Sequence, residues 1–366
     1  MKMRLKRLTT ILSAIALTAL IPSAIANTTE LEEVAEFHDS RAAGVTVSPD
    51  GRLFVSMHPL DNPEFKVLEL MANGEKRPFP TIDWADGPQT GKVGFASVLG
   101  IHSDSQGIIW MLDMGSETSP TQLIGWNSAK NKLEAVIKIS KSSLVENSFA
   151  QDFAIDEKRG KVYIADMSFG NFAGETRPAI IVLDLATGKS RRVMQGIEPF
   201  VAPDRDIVIE GGLLASVDAK GNTNRLRFGL NPIAIDENFE WVYFATMNGE
   251  VIHRIPADSL ANSQLSDGAM QAKVETFGPK KPSDGMLYVP GKGIAITDLE
   301  NNAVGLTTPG GYQVLVKDDQ LSWPDSMAWS NGYIYVTADQ LHQHPAFSQG
   351  KGASRKPYQL LRFKLN

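Results

Sequence analysis

The stretch Ser148-Phe149-Ala150-Gln151-Asp152-Phe153-Ala154-Ile155-Asp156-Glu157-Lys158-Arg159-Gly160-Lys161-Val162-Tyr163-Ile164-Ala165-Asp166 decides the fold. Phe153 to Asp156 and Val162 to Ala165 are two short β-rich runs joined by a charged turn that ends in Gly160, the pattern of an antiparallel hairpin. The same pattern occurs six times. Upstream copies run from Gly44 to Val55 and from Ser97 through Gly107 to Asp113. Downstream copies are Asn231 to Asp236 with Trp241 to Ala245, Asp284 to Val289 with Ile294 to Asp298, and Asp325 to Trp329 with Tyr333 to Thr337.

Hairpins recurring every forty to eighty residues or so form an array in which each unit buries its faces only against its neighbours. For all-β units of this size, closure into a propeller is the natural solution. Innermost strands crowd toward the axis, and Thr46, Gly100, Ala154, Ala234 and Ala328 supply small side chains at matching places, with Leu287 the exception. Runs such as Lys66 to Leu70, Gln122 to Trp126, Ile180 to Asp184 and Val251 to Ile255 add outer strands, about four per repeat. The fold class predicted is therefore all-β, a single six-bladed β-propeller with four-stranded blades. The strand Leu31 to Phe37 precedes the first full repeat, and Tyr358 to Phe363 ends the chain without a hairpin partner. Pairing these two ends would close the ring and remove two exposed edges. The long interval from Asp152 to Asn231 holds an extra pair of runs, Asp206 to Glu210 and Gly212 to Val217, which reads as a decorated blade with a loop over one face.

Residues 1 to 26 read as a signal peptide: Lys2, Arg4, Lys6 and Arg7, then an apolar run from Ile11 to Ile21, then Pro22 and Ala24-Ile25-Ala26. The run is too short to span a bilayer comfortably, and no second long apolar segment follows. An uncleaved N-terminal anchor is the alternative. The domain expected is residues 27 to 366, outside the cytoplasm, secreted or periplasmic, working as a monomer. Without the four basic residues of the leader, 32 Lys and Arg stand against 42 Asp and Glu. A surplus of about ten negative charges disfavours nucleic acid or an anionic membrane as partner. The chain has no cysteine, so stability must come from burial and ring closure rather than disulfides.

Several stretches resemble the Yellow and major royal jelly protein family, in its bacterial branch. They are Gln151 to Asp156 with Tyr163 to Asp166, Gly229 to Ala234 with Val242 to Phe244, Ser283 to Met286, Thr297 to Val304, and Trp323 to Met327 with Tyr335 to Thr337. The resemblance implies a secreted six-bladed propeller, in agreement with the repeat count. It also implies a range of functions: some members convert dopachrome, some bind biogenic amines in the central channel, and others serve storage or signalling. A more distant likeness is to lactonase-type propellers, in which Glu, Asn and Asp side chains hold a divalent metal.

In a propeller the innermost strand starts, and the second strand ends, on one face, so residues at both places are expected around one channel mouth. The first column reads Ala43, Ser97, Gln151, Asn231, Asp284 and Asp325, with Asp152 beside Gln151. The second reads His58, Asp113, Asp166, Thr246, Asp298 and Asp339. Carboxylates gathered in a low-dielectric funnel call for a compensating proton, amine or cation. Asp284 and Asp325 are the candidate catalytic bases, with Asn231 an orienting donor. Gln151, Asp152, Asn231 and Trp323 are the candidate small-molecule contacts. Oxygen ligands would suit Ca²⁺ or Mg²⁺ on Asn231, Asp284 and Asp325, although Arg41-Ala42-Ala43-Gly44 stands where lactonase-type propellers place a glutamate. The bland alternative is that all these side chains bind strand-start amides and water. His342-Gln343-His344 is expected in a surface loop, and Trp241, Trp323 and Trp329 in blade packing, with Trp323 able to reach the channel. Asp50-Gly51 and Asn331-Gly332 are turn chemistry. No nucleophile elbow, P-loop, His-Glu-x-x-His or dinucleotide fingerprint is present.

Overall fold

In the computed structural model, which describes residues 30–87, 93–168, 175–218, 220–348 and 350–365, the six repeats are six four-stranded antiparallel sheets. Their inner strands are Ala42–Val47, Val98–Ser103, Ala150–Asp156, Leu230–Ile235, Met286–Val289 and Pro324–Ser330, for blades 1 to 6. Each inner strand packs beside that of the next blade, and blade 6 packs against blade 1, so the ring is closed. The leader falls outside the described residues. Among those described, no helix is long and apolar enough to cross a membrane.

Alternation along each strand sends one row of side chains to each neighbouring blade. Blade 3 shows the result: Phe153, Val162, Ile164, Ile181 and Leu183 pack toward blade 2, while Ala154, Tyr163, Ala165, Ile180 and Val182 pack toward blade 4. The turns between inner and second strands use the expected glycines: Gly51 and Gly332 sit at φ of 86° and 82°, where a side chain is strained.

Ring closure is made as the sequence implies. Leu31–Phe37 is the outermost strand of blade 6 and runs antiparallel to Tyr358–Lys364. Glu32 accepts from Arg362 at 2.8 Å and Glu33 from Gln359 at 2.7 Å, while Leu31 packs on the blade 5–6 core and Val34, Ala35 and Phe37 on the blade 6–1 core.

The insertion after blade 3 forms two short hairpins, Val208–Ile209 with Gly212–Leu213 and Ala215–Val217 with Thr223–Arg225. Their apolar residues Ile207, Ile209, Leu214, Leu226 and Phe228 pack with Met167, Met247, Trp323, Leu341 and Phe347. The insertion thus roofs one end of the channel.

Deleting residues 31 to 37 unpairs Tyr358–Lys364 and exposes the edge of that strand. By differential scanning calorimetry, the melting temperature should fall by roughly 10 °C or more. Removing only residues 27 to 30 should leave it within a degree or two, and equal curves for the two truncations would rule out closure by this strand.

Candidate functional site

Five of the six inner strands lose register at the point where the candidate residues stand. The slips lie between Ala42 and Val45, Val98 and Ile101, Ala150 and Asp152, Leu230 and Ile233, and Pro324 and Met327. In blade 5 the ladder starts at Met286, leaving Asp284 and Gly285 ahead of it. A bulge takes residues out of the ladder and re-aims their side chains, here toward the axis. Second-strand hydroxyls compensate the freed amides. Ser56 Oγ accepts from Gly44 N at 2.8 Å and donates to Leu99 O of blade 2 at 2.6 Å. Thr297 Oγ1 accepts from Asp284 N at 3.1 Å and Gly285 N at 2.9 Å. Thr337 Oγ1 accepts from Ser326 N at 3.0 Å and donates to Ala43 O of blade 1 at 2.6 Å. Gly285 allows the closest approach, since a Cβ there would lie 2.0 Å from Asp325 O.

The bulges surround a cavity of about 210 Å³. Every residue of the first column lines it: Ala43, Ser97, Gln151, Asn231, Asp284 and Asp325, with Asp152 and Trp323. The second column does not converge there, His58 excepted. Its aspartates turn to nearby backbone amides or side-chain donors instead. Asp113 accepts from Ala96, Ser97 and Gly115 amides, and Asp166 from those of Phe149 and Ser168. Asp298 accepts from Asn301 and Tyr312, and Asp339 from Leu341 N. The residues that follow these strand ends line the cavity instead, namely Met114, Met167 and Met247. The recurring Asp113-Met114 and Asp166-Met167 pairs are the signal that a column shifted by one residue would have found.

A hydrogen-bonded arc spans four blades, from blade 3 to blade 6. Gln151 Nε2 donates to Asn231 Oδ1 at 2.6 Å and to Asn231 O at 2.9 Å. Asn231 Nδ2 donates to Asp284 Oδ1 at 2.8 Å, and Trp323 Nε1 donates to Asp284 Oδ2 at 2.8 Å. Burial pushes the Asp284 carboxyl up to about 6, because desolvation outweighs these two donors and nearby Asp152 adds to the rise. Burial also holds Asp325 and Asp339 well above the usual range, reinforced by Asp284. Asp339 Oδ2 is buried with no hydrogen-bond partner, as suits a protonated group. His58 offers no compensating charge: burial and the Arg41 guanidinium push it down to about 3, and its Nδ1 accepts from Leu60 N at 3.2 Å.

Trp323 is held by its surroundings. It is 1% exposed and sits at φ of 50°, a left-handed conformation that is strained for so bulky a residue. His342 stacks on one side at 6.0 Å and 7° between planes, and Phe347 at 6.3 Å and 24°. His342 is therefore buried rather than part of a surface loop, because the roof over the channel covers it. Both its ring nitrogens lack hydrogen bonds, and Glu210 Oε2 lies 3.4 Å from Nε2.

The arrangement does not fit Ca²⁺ or Mg²⁺ on Asn231, Asp284 and Asp325. The Asn231 side-chain oxygen is occupied by Gln151, both Asp284 oxygens accept N–H donors, and Ala43 occupies the blade 1 place. Among the described residues, no three His, Asp or Glu side chains gather as a metal site.

Fold and cavity together define a six-bladed propeller with an acidic, methionine-rich axial site. Residues 96–359 match the family model described as "Major royal jelly protein", and the chain belongs to that family. No curated protein matches the sequence. Among solved structures, the chain is similar to a gluconolactonase from Xanthomonas campestris, with TM-score 0.58 and 12% identity over 94% of each chain. It is also similar to a luciferin-regenerating enzyme, with TM-score 0.55 and 12% identity over 92% of this chain and 95% of that one. A calcium-binding regucalcin from Agrobacterium tumefaciens gives TM-score 0.51 and 15% identity over 91% and 95%. At these identities the likeness is one of fold.

The Asp284 carboxyl is raised from 3.8 to about 6, so the unfolded chain releases this proton first as pH rises. Its contribution to stability is therefore complete below pH 3.8 and is lost as pH climbs to about 6. Asp284→Asn removes that slope. Urea melts at pH 4 and pH 7 should show the wild type losing about 2 kcal/mol relative to the variant. Parallel pH profiles would refute the assignment.

Proposed function

We propose that the axial cavity is a small-molecule site, and that its chemistry is a proton-transferring isomerisation or tautomerisation of the dopachrome-conversion kind. The observation that carries this reading is Asp284. It is a carboxylate at a cavity wall, fixed by Asn231 and Trp323, with its pKa raised to about 6. A base poised near neutral pH combines a populated ionised form with real basicity. Burial and the Asp284 charge hold Asp325 well above the usual range, so it is the less suited of the two to act as base. Gln151 and Asn231 position the arc, and the methionines and Phe149, Phe228 and Phe347 give an apolar wall for a ring. We further propose that the protein acts outside the cytoplasm, secreted or periplasmic, on the strength of its basic and apolar N-terminal sequence. Metal-dependent hydrolysis of the lactonase kind has only the fold in its favour.

With purified mature protein, L-dopachrome should disappear faster than in buffer. Asp284→Asn should lower kcat/KM about a hundredfold. For the unmodified protein kcat/KM should rise with pH through a midpoint near 6. Trp323→Phe removes a donor from the carboxylate and should move that midpoint upward. Decay equal to buffer alone would end the enzymatic reading.

A non-catalytic amine-binding role is the second reading. It is favoured by a lining that includes Asp152, Asp284 and Asp325 but, among the described residues, no lysine or arginine. An ammonium group would supply the missing charge, with aromatic faces to hold its ring. Calorimetry against catecholamines and indoleamines should then show binding without product, and an absence of heat across the panel would dismiss it.

A further inference from the structure

We propose that His102, oriented by Asp152, is a second proton-transfer residue of the channel, facing Asp284 from the opposite wall. The proposal rests on the reading of the cavity as a proton-transfer site and deepens it by defining the substrate class.

His102 Nε2 lies 2.9 Å from Asp152 Oδ1, and both residues line the cavity. The Asp152 carboxylate is itself fixed, since Oδ1 also accepts from Phe153 N at 2.8 Å. Phe153 packs edge-on against the imidazole, with centroids 4.8 Å apart and planes at 89°. Ring orientation is therefore set on two sides, while the side chain remains 31% exposed toward the channel. A carboxylate can only accept, which makes Nε2 the protonated nitrogen of the neutral ring. Nδ1 then carries a lone pair, and among the described residues it has no hydrogen-bond partner. A pair that merely tied blade 2 to blade 3 would have no use for an open nitrogen at the cavity. An Asp-oriented imidazole with one free nitrogen is instead the arrangement of a general acid–base group, the carboxylate balancing the charge gained when Nδ1 takes a proton.

Topology gives the pair its meaning. His102 is on the inner strand of blade 2, and Asp284 immediately precedes that of blade 5. In a closed ring of six, blades three apart face each other across the axis, and Asp152 of blade 3 faces Asp325 of blade 6 in the same way. A molecule that fills the cavity touches both stations. The substrate class is thus a compact conjugated molecule whose two tautomers differ by a proton removed at one end and returned at the other. Asp284 carboxylate takes the proton from a carbon. The C–H electron pair moves into the conjugated system and its double bonds shift. The oxygen at the far end gains the electron density and takes the proton from Nδ1–H of the His102 imidazolium. Product is an isomer, with Asp284 protonated and His102 neutral. Exchange with water resets both, and no oxidant or reductant enters.

L-Dopachrome is the probe, used with the full mature chain. His102→Gln should lower kcat about a hundredfold while KM stays within about threefold, because a proton-transfer group acts in the transition state rather than in binding. Asp152→Asn keeps the imidazole but loses its orienting acceptor, and should lower kcat about tenfold with KM little changed. Nitrogen-15 spectra of histidine-labelled protein should show His102 as the Nε2–H tautomer in the unmodified chain and a tautomer mixture in Asp152→Asn. Near-ultraviolet circular dichroism checks folding, and His102→Asn replaces the first variant if it is misfolded. Unmodified protein that turns over dopachrome, with His102→Gln equally fast, overturns this inference and leaves the proposed function standing. An Nδ1–H tautomer in the unmodified protein overturns it by itself. Unmodified protein no faster than buffer overturns the proposed function, and this inference with it.

Discussion

The constraint on which the channel depends is the confinement of several carboxyl groups where water is scarce. Burial raises the proton affinity of Asp284, Asp325 and Asp339; Asp284 adds to the rise at the other two, and Asp152 adds to it at Asp284. Ionising all of them at once would require more positive charge than the walls supply: His58 is held neutral and, among the described residues, no lysine or arginine lines the cavity. Charge is therefore rationed by hydrogen bonding. Asp284, with two N–H donors, is the member best able to ionise, and Asp339, with an unpartnered oxygen, is better suited to keep its proton. Within one funnel, the difference between a carboxyl that ionises more readily and one that keeps its proton follows from which residue received Asn231 and Trp323 as neighbours.

That rationing is possible only because the inner strands are bulged. A regular ladder would turn alternate residues into the interfaces between blades, and adjacent residues such as Asp284-Gly285 or Asp325-Ser326 would be divided between opposite faces. Slipping the register frees the first residue of each pair for the axis at the cost of unpaired amides. Ser56, Thr297 and Thr337 bind those amides, and Ser56 and Thr337 also reach a carbonyl of the adjoining blade. The same hydroxyl thus serves site geometry and ring cohesion, which couples the shape of the cavity to the packing of the blades.

The architecture was largely legible in the sequence because it rests on periodicity. Six hairpins, the unpartnered ends Leu31 to Phe37 and Tyr358 to Phe363, and the surplus runs after blade 3 all correspond to observed elements. The first column of candidate residues was legible for the same reason, since strand starts are marked by composition. Strand ends were not. Whether Asp166 or Met167 faces the axis depends on a turn of one residue, and the aspartate is claimed by the amides of Phe149 and Ser168. His102 escaped notice because it lies inside a strand, where a lone histidine carries no pattern. Its partner Asp152 comes from another blade, fifty residues on. His342 was misjudged because the cover over it comes from residues 202 to 228, and no local feature of His342-Gln343-His344 announces a distant roof.

The two sides of the cavity differ in what they can discriminate. Met114, Met167, Met247, Met286 and Met327 present unbranched thioether chains that adjust their rotamers to different outlines, so this side tolerates changes of shape at little cost. The arc from Gln151 through Asn231 to Asp284 and Trp323 cannot adjust in that way. Each member is buried and bonded to the next, and Trp323 is fixed further by a strained backbone and two stacked rings. Moving one member leaves a buried donor or acceptor unpaired, a penalty of about 1–3 kcal/mol. Selectivity should therefore reside in the polar arc and not in the apolar wall, because a pocket lined by hydrocarbon and sulfur separates close analogues weakly whereas buried polar groups penalise any ligand that fails to pair with them. A propeller built this way can exchange its apolar lining while the Asp284 carboxyl keeps its Asn231 and Trp323 donors.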